Sequence, residues 1–215
     1  MSGAATTTTL TVRWGSRFTA AMDGLRRAEW LAGQPGESID EFDLLSYHLS
    51  VSLADVPVGL VRATVTPPSV LRAWSGGRAP LPCGPGVAEL TRGVVAGSVR
   101  QLGIYSLAML EALLRLRALG VTFAAGAVEP DFVGRHFLAG LGFTKVGVPL
   151  RFDDRPRRGT IAQCLLLSVD EGGEATWMAT RGELVRRLGE RGYRVDSDLE
   201  PSLAEAGASP SAAVS

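Results

Sequence analysis

Val94-Val-Ala-Gly-Ser-Val-Arg100-Gln-Leu-Gly103-Ile-Tyr105-Ser-Leu-Ala108 decides the fold, because a strand ends, a short turn follows and a long helix begins within one run. An apolar stretch from Val87 to Val95 reads as the strand. From Leu102 to Leu119, the residues Leu102, Tyr105, Met109, Leu113 and Leu116 recur at helical spacing. Gly120 then stands where a left-handed helix stop belongs. The first N–H groups of a helix have no partner inside it and attract anions. Arg100-x-x-Gly103 adds a cation and a residue without a side chain, so a pyrophosphate is the guest this turn fits. Taken alone, a strand, turn and helix with one glycine is a common arrangement.

Downstream, Val121 to Val128 reads as an apolar strand and Pro130 to Leu141 as a helix with proline at an early position. Phe143 to Phe152 and Thr160 to Val169 are two more strands, joined by a basic turn at Arg155 to Arg158. Thr176 to Arg191 is amphipathic, with Leu184 and Leu188 on its apolar side, inside a C-terminal helical segment placed at 171–195. Residues 196–215 are acidic, small and Ser/Ala-rich and are expected to form a disordered tail.

Upstream, Leu10 to Trp14 is a first strand and Phe18 to Leu31 a first helix. Tyr47, Leu49, Val51 and Leu53 alternate with Ser46, His48, Ser50 and Ser52, which marks a half-buried strand with His48 on its exposed side. Ala54 to Pro57 is a turn, and Val58 to Val65 returns to make a hairpin. Pro67 to Gly86 is a long Pro/Gly-rich connection of the kind that carries function. Residues 1–9 are expected to be disordered. The order β-α-β-β-β-α-β-α-β-β-α predicts one α/β (α+β) domain over residues 10–170. An antiparallel N-terminal meander leads into a mixed sheet with helices on both faces.

Composition narrows the function. The 22 basic residues balance the 22 acidic ones, so there is no basic footprint for nucleic acid. The 2 cysteines, Cys83 and Cys164, are too few for a disulfide scaffold, and no Cys/His cluster has metal-ligand spacing. No apolar run reaches the roughly 18 residues of a membrane span. Met1 to Thr9 lacks a basic region followed by an apolar one, so no secretory signal is read there and the cytoplasm is the expected compartment.

Several motifs now fall in line. Arg100-x-x-Gly103, with Phe137-Leu-Ala-Gly-Leu-Gly-Phe143 further on, resembles the GNAT acyltransferase superfamily. That superfamily holds a pantetheine pyrophosphate at such a turn and has a Tyr-x-x-x-Gly-Phe pattern later. Tyr105 stands where the superfamily has Gly or Ala, and Leu138 where it usually has the catalytic tyrosine. Trp30, Asp40-Glu-Phe-Asp43, Gly59-Leu-Val-Arg62 with Thr66, and Glu89-Leu-Thr-Arg92 are similar in order and spacing to acyl-homoserine-lactone synthases and long-chain N-acyl amino acid synthases. Thr91 and Gly93 depart from that pattern, and Val128 to Val133 is similar to the amino acid synthase branch.

The resemblance implies a GNAT-like fold and an N-acyltransferase. Its donor would be an acyl carrier protein or CoA thioester, with no permanently bound cofactor, and its acceptor an amino-acid-like amine. Direct aminolysis needs a proton acceptor, and Glu89 is the candidate. Trp30, Asp40, Asp43, Arg62 and Arg92 are assigned to the acceptor, the arginines because a guanidinium grips a carboxylate at two points. Val94, Val95 and Ala96 are read as a fraying strand end that supplies oxyanion N–H groups. Arg100, Gly103, Tyr105 and Leu138 are assigned to the acyl donor. Against these roles stand plain ones: Asp40 and Asp43 solvated in a loop, Glu89 and Arg92 in a structural salt bridge, Trp30 in the core, and His136 on the surface or lining the site. The rival functions are an ordinary acetyl-CoA-dependent N-acetyltransferase and a catalytically inactive binding module.

Overall fold

The computed structural model describes residues 7–31, 38–65, 69–129, 132, 135–152 and 160–199. Its strands are β1 (Thr8–Gly15), β2 (Tyr47–Leu53), β3 (Val56–Thr64), β4 (Val87–Val95), β5 (Phe123–Val128), β6 (Thr144–Phe152), β7 (Thr160–Ser168) and β8 (Tyr193–Ser197). The helices are α1 (Ala20–Arg26), α2 (Val70–Trp74), α3 (Ile104–Ala118), α4 (Arg135–Gly140) and α5 (Glu171–Glu190). One sheet runs β6-β7-β5-β4-β3-β2-β1-β8. β4 pairs with β5, and β1 with β8, in parallel; the other neighbours are antiparallel.

Local chemistry explains the joints. Ala54 and Asp55 both have positive φ, 47° and 66°, and make the two-residue turn whose twist suits a β2–β3 hairpin. β3 therefore starts at Val56, before the predicted Val58, and Pro57 is tolerated beside a register shift where a ladder bond is already missing. Thr19 accepts from Met22 N–H to open α1. Gly103, at φ 81°, turns the chain into α3. A Cβ there would lie 2.9 Å from the Leu184 side chain, so packing as well as φ demands glycine.

Buried side chains separate into two faces. On one, Leu49, Val51, Val61, Ala63 and Leu90 pack under Leu107, Leu110, Leu113 and Leu114 of α3, with Trp177 and Leu188 of α5 closing the layer. On the other, Leu60 and Val94 meet Met22 and Leu25 of α1. Phe42, Trp74 and Phe152 form a further cluster with α2. α3 lies between the sheet and α5, and even its Glu111 is fully buried. That carboxylate accepts from Arg181 Nε at 2.6 Å and Ser197 Oγ at 2.8 Å, and so fastens α5 and β8 to α3.

The structure corrects several boundaries. The first helix is α1 followed by a π-helical turn at Arg27–Leu31. The polar loop contains a 3₁₀ turn at Glu41–Leu44, and the Pro/Gly-rich connection contains α2. Asp196 and Ser197, assigned to the tail, belong to β8, and Leu199 is fully buried. Thr8 and Thr9, assigned to a disordered start, belong to β1. The basic turn Arg155 to Arg158, Thr66, Asp131, Val133 and residues 200–215 lie outside the described residues. Among the described residues no helix is long and apolar enough to cross a membrane.

Candidate active site

The site grows from an irregularity in β4. Arg62 pairs with Thr91, but Leu60 pairs with Val94, so one extra residue of β4 is squeezed into the ladder. Arg92 takes up the strain with a left-handed φ of 55°. Simple alternation would send Arg92 to the same face as Leu90, into the core under α3. The bulge instead turns it towards the α1 face, where Val94 then also packs.

There it joins two other buried arginines. Arg92 donates from Nη1 to Ser38 O at 2.7 Å and from Nη2 to Asp40 Oδ2 at 2.6 Å. Arg62 donates from Nη1 to Asp40 Oδ1 at 2.5 Å and Asp43 Oδ1 at 3.2 Å, and from Nε to Thr91 Oγ1 at 3.0 Å. Arg26 reaches Asp43 Oδ1 at 2.7 Å and Ser38 O at 3.2 Å. The two aspartates are fixed in turn by capping the Glu41–Leu44 turn, where Phe42 N–H donates to Asp40 and Asp40 N–H to Asp43. Asp40 and Asp43 are therefore not merely solvated, as the plain reading had them.

Three guanidinium groups thus share two carboxylates in direct ion pairs, with Asp23 acting on Arg26 and Glu89 on Arg62 from further off. Aromatic faces also meet the guanidinium groups. Arg92 lies 5.2 Å from the Trp30 ring centre and 5.4 Å from that of Trp74, and Arg26 lies 4.3 Å from that of Phe18. Burial lowers the Arg26 pKa to about 10, against the opposing pull of Asp43, and lowers Arg92 as well. Burial also pushes Asp43 up, but Arg26 and Arg62 outweigh it and hold this carboxyl below its ordinary value.

His48 is corrected by the same cluster. It is buried, not exposed, and its Nε2 sits 3.0 Å from Asp43 O. Burial and the neighbouring arginines lower its pKa and keep it neutral. The sequence reading missed Arg26, Ser38 and Trp74. Arg26 was within reach, because Met22, Arg26 and Trp30 are spaced four apart on one helical stripe.

Beside the cluster the sheet opens. The β4–β5 ladder ends at Leu90 opposite Gly126, and beyond it the strands diverge. A cavity of about 340 Å³ occupies the gap. Trp30, Trp74 and Arg92 line it, as do Gly93 and Tyr105, with Met109, Leu138, Phe143 and Leu165 as its apolar wall and Glu129 as its carboxylate. The structure thus brings Trp30, Arg92, Tyr105 and Leu138 to one cavity, with Asp40 paired to Arg92 and Arg62 and Asp43 linked to it through Asp40.

Three assignments fare differently. Glu89 does not line the cavity. Its Oε2 accepts from Leu71 N–H at 2.9 Å and its Oε1 from Ser69 Oγ, so it caps the start of α2. Burial raises its pKa, against the lowering effect of those bonds and of Arg62. Val94 and Val95 do not fray: they pair with Leu60 and Gly59, and Ala96 N–H donates to Val58 O at 2.9 Å. Backbone freed from the ladder is found at the bulge, Arg92–Gly93. Arg100 is exposed in a 3₁₀ turn, Gly97–Leu102, and is paired with Glu29 at 2.5 Å. The other oxygen of Glu29 accepts from Gly97 N–H at 2.8 Å.

No family model matches this sequence, and no curated protein matches it. Solved structures do match. The CoA-dependent acyl-homoserine lactone synthase BjaI, with SAM and isopentyl-CoA, aligns at a TM-score of 0.63 with 14% identity, over 89% of this chain and 93% of its own. The fold is that of the GNAT acyltransferases. The AHL synthase LasI aligns at 0.61 with 19% identity, over 79% of this chain and 95% of its own. A Bacillus subtilis acetyltransferase in complex with CoA aligns at 0.51 with 13% identity, over 74% of this chain and 98% of its own. The expected GNAT-like architecture is therefore found, and acyl-homoserine lactone synthases are among the proteins that share it.

Proposed function

We propose that this chain is an N-acyltransferase, moving an acyl group from a phosphopantetheine thioester to the amine of an amino-acid-like acceptor. The observation that carries this reading is the divergence of β4 and β5 beyond Leu90 and Gly126, which opens an apolar cavity against the Arg92 bulge. The thioester arm enters the gap between the strands, and its acyl chain lies along Met109, Leu138, Phe143 and Leu165. The carbonyl oxygen meets backbone N–H at Arg92–Gly93, where preorganised donors stabilise the developing oxyanion. The acceptor lies by Trp30 and Trp74. Its carboxylate is drawn by Arg92, which lines the cavity, and Asp40 and Asp43 keep the arginine forks aligned.

Glu129 takes the proton-acceptor role first read into Glu89, since it lines the cavity and Glu89 does not. Acyl carrier protein and CoA both present the same phosphopantetheine arm. The SAM and isopentyl-CoA in the BjaI structure support a donor of this chemistry and an acceptor bearing an amino acid.

The test is thioester turnover by the purified chain, with acyl-CoA and acyl carrier protein donors and a panel of amino acids and derivatives, read by thiol release and by mass spectrometry of the amide. Amide formation with a carboxylate-bearing amine, lost when its carboxylate is esterified, supports the reading. Tight thioester binding without turnover for any amine would instead mark a binding module.

A further inference from the structure

We propose that the Tyr105 hydroxyl serves the sulfur end of the reaction, hydrogen-bonding the thiolate as the C–S bond breaks and delivering its proton. The proposal rests on the acyl-transfer reading above. A thiolate released into an apolar cavity is an unpaired charge away from water, and such a charge is costly. The cavity must therefore supply a donor. Leu138, on the wall of the same cavity and 3% exposed, offers only carbon. Both terminal nitrogens of Arg92 are engaged with Ser38 and Asp40, which leaves only its buried Nε, at the acceptor end of the cavity, and Thr91 is bound by Arg62. Tyr105 is the phenol among the described lining residues.

Its placement fits the role. A Cβ on Gly93 would lie 2.9 Å from Tyr105 Cε2, so the ring edge rests on the bulge that faces the diverging strands. Any thioester threaded between β4 and β5 passes this point. The ring is held from the other side by an edge-on contact with Phe132, at 5.3 Å between centres. Tyr105 is in the first turn of α3, anchored next to the fully buried Ile104. Burial raises the phenol above its ordinary value, which keeps it protonated as a donor.

The step balances without any further reagent. The amine nitrogen forms the C–N bond, and the carbonyl pair moves to oxygen and returns. The C–S pair leaves on sulfur, and the Tyr105 O–H proton goes to that sulfur. Glu129 takes the proton of the former amine nitrogen, and the phenolic oxygen regains one from Glu129 through water, so both groups end as they began. One proton has passed from nitrogen to sulfur, and nothing is oxidised or reduced.

The experiment compares Tyr105→Phe with the unaltered chain in single turnover. It uses two donors carrying the same acyl group, an alkyl thioester such as acyl-CoA and an aryl thioester whose thiol is far more acidic. Removing a general acid typically lowers the rate by about 10²–10⁴-fold. That loss is expected with the alkyl thioester. With the aryl thioester, whose sulfur leaves unaided, the expected loss is small. The dissociation constant for acyl-CoA and the melting temperature should stay as they were, because the ring and its packing are kept. Equal losses with both donors, or no loss with either, would overturn the assignment. If the unaltered chain turns over neither thioester, the acyl-transfer reading itself fails, and this proposal with it.

Discussion

Replacing Glu89 with glutamine separates a structural carboxylate from a catalytic one. In the folded chain Glu89 accepts Leu71 N–H at 2.9 Å and Ser69 O–H, and Ser69 Oγ in turn accepts Arg72 N–H at 3.2 Å. Glutamine can keep its oxygen on Leu71 and donate its amide to Ser69. Two charge-assisted bonds thereby become neutral ones. A bond to a charged group contributes about 1.5–3 kcal/mol and a neutral one about 0.5–1.5 kcal/mol, but the cost of burying the charge also disappears. The raised folded pKa of Glu89 shows that burial of the charge outweighs those bonds, so at neutral pH the glutamine variant should melt within roughly 2–4 °C of the unaltered chain. Glu89→Leu leaves the buried Leu71 N–H unpaired, a loss of about 1–3 kcal/mol. Because burial holds the folded pKa of Glu89 above its ordinary 4.5, its contribution to stability is fully present below that value. The contribution is lost as pH rises through the folded pKa, so the unaltered chain should lose stability relative to the glutamine variant over that range. Thermal melts at several pH values and single-turnover rates on the same preparations check both points. The folded variants should react at near-normal rates. A glutamine variant with unchanged Tm and a rate reduced by the roughly 10²–10⁴-fold of a lost base would refute this reasoning and restore Glu89 to the chemistry.

Asp43→Asn removes the partner of two buried arginines, and a broken buried pair costs about 3–5 kcal/mol; a fall in Tm of roughly 6–20 °C is expected by scanning calorimetry. The Asp43 carboxyl is held below its ordinary 3.8, so its stabilisation is complete above that value and lost as pH falls through the lowered one. An acid titration of Asp43→Asn should lack that component. Glu29→Gln breaks an exposed pair worth only about 0–1 kcal/mol. It releases Arg100 for a phosphate, so acyl-CoA should bind more tightly by calorimetry with Tm nearly unchanged; weaker binding would exclude this turn from the donor site. Leu138→Ala should cost about 2–5 kcal/mol through the cavity it leaves, and chain-length profiling should show a shift towards bulkier acyl groups.

The fold was largely legible because its deciding elements are local. β4 has the predicted limits, and α3 follows from a helical repeat that Gly103 and Gly120 frame. What escaped the sequence depends on partners far along the chain. β8 exists because its backbone pairs with β1, whose residues lie more than a hundred positions earlier. α2 has five residues and is held by the Ser69 cap and by Glu89 on another element, so periodicity could not find it. Ser46, His48 and Ser50 alternate as a solvent-facing side would, yet that side is covered by the Asp43 turn and by Phe18, 5.0 Å from the His48 ring. A polar face thus turned out to be buried against a charged interior. The site residues Asp40, Asp43, Arg62 and Arg92 do gather in one network, while Glu89 stands apart from the cavity because α2 supplies it with hydrogen-bond donors. A bulge leaves no mark in the residue types, so the reorientation of Arg92 could not be read in advance.

The left-handed backbone of Arg92 bears on how this protein can change. A side-chain-bearing residue held there carries a penalty of about 1–3 kcal/mol that glycine would not. Selection for stability alone would therefore favour erasing the cation that reaches Ser38 and Asp40 and borders the cavity. Relatives bred for heat tolerance would drift towards glycine at this position and away from whatever the guanidinium recognises. The kink is a place where robustness and selectivity pull on one residue in opposite directions.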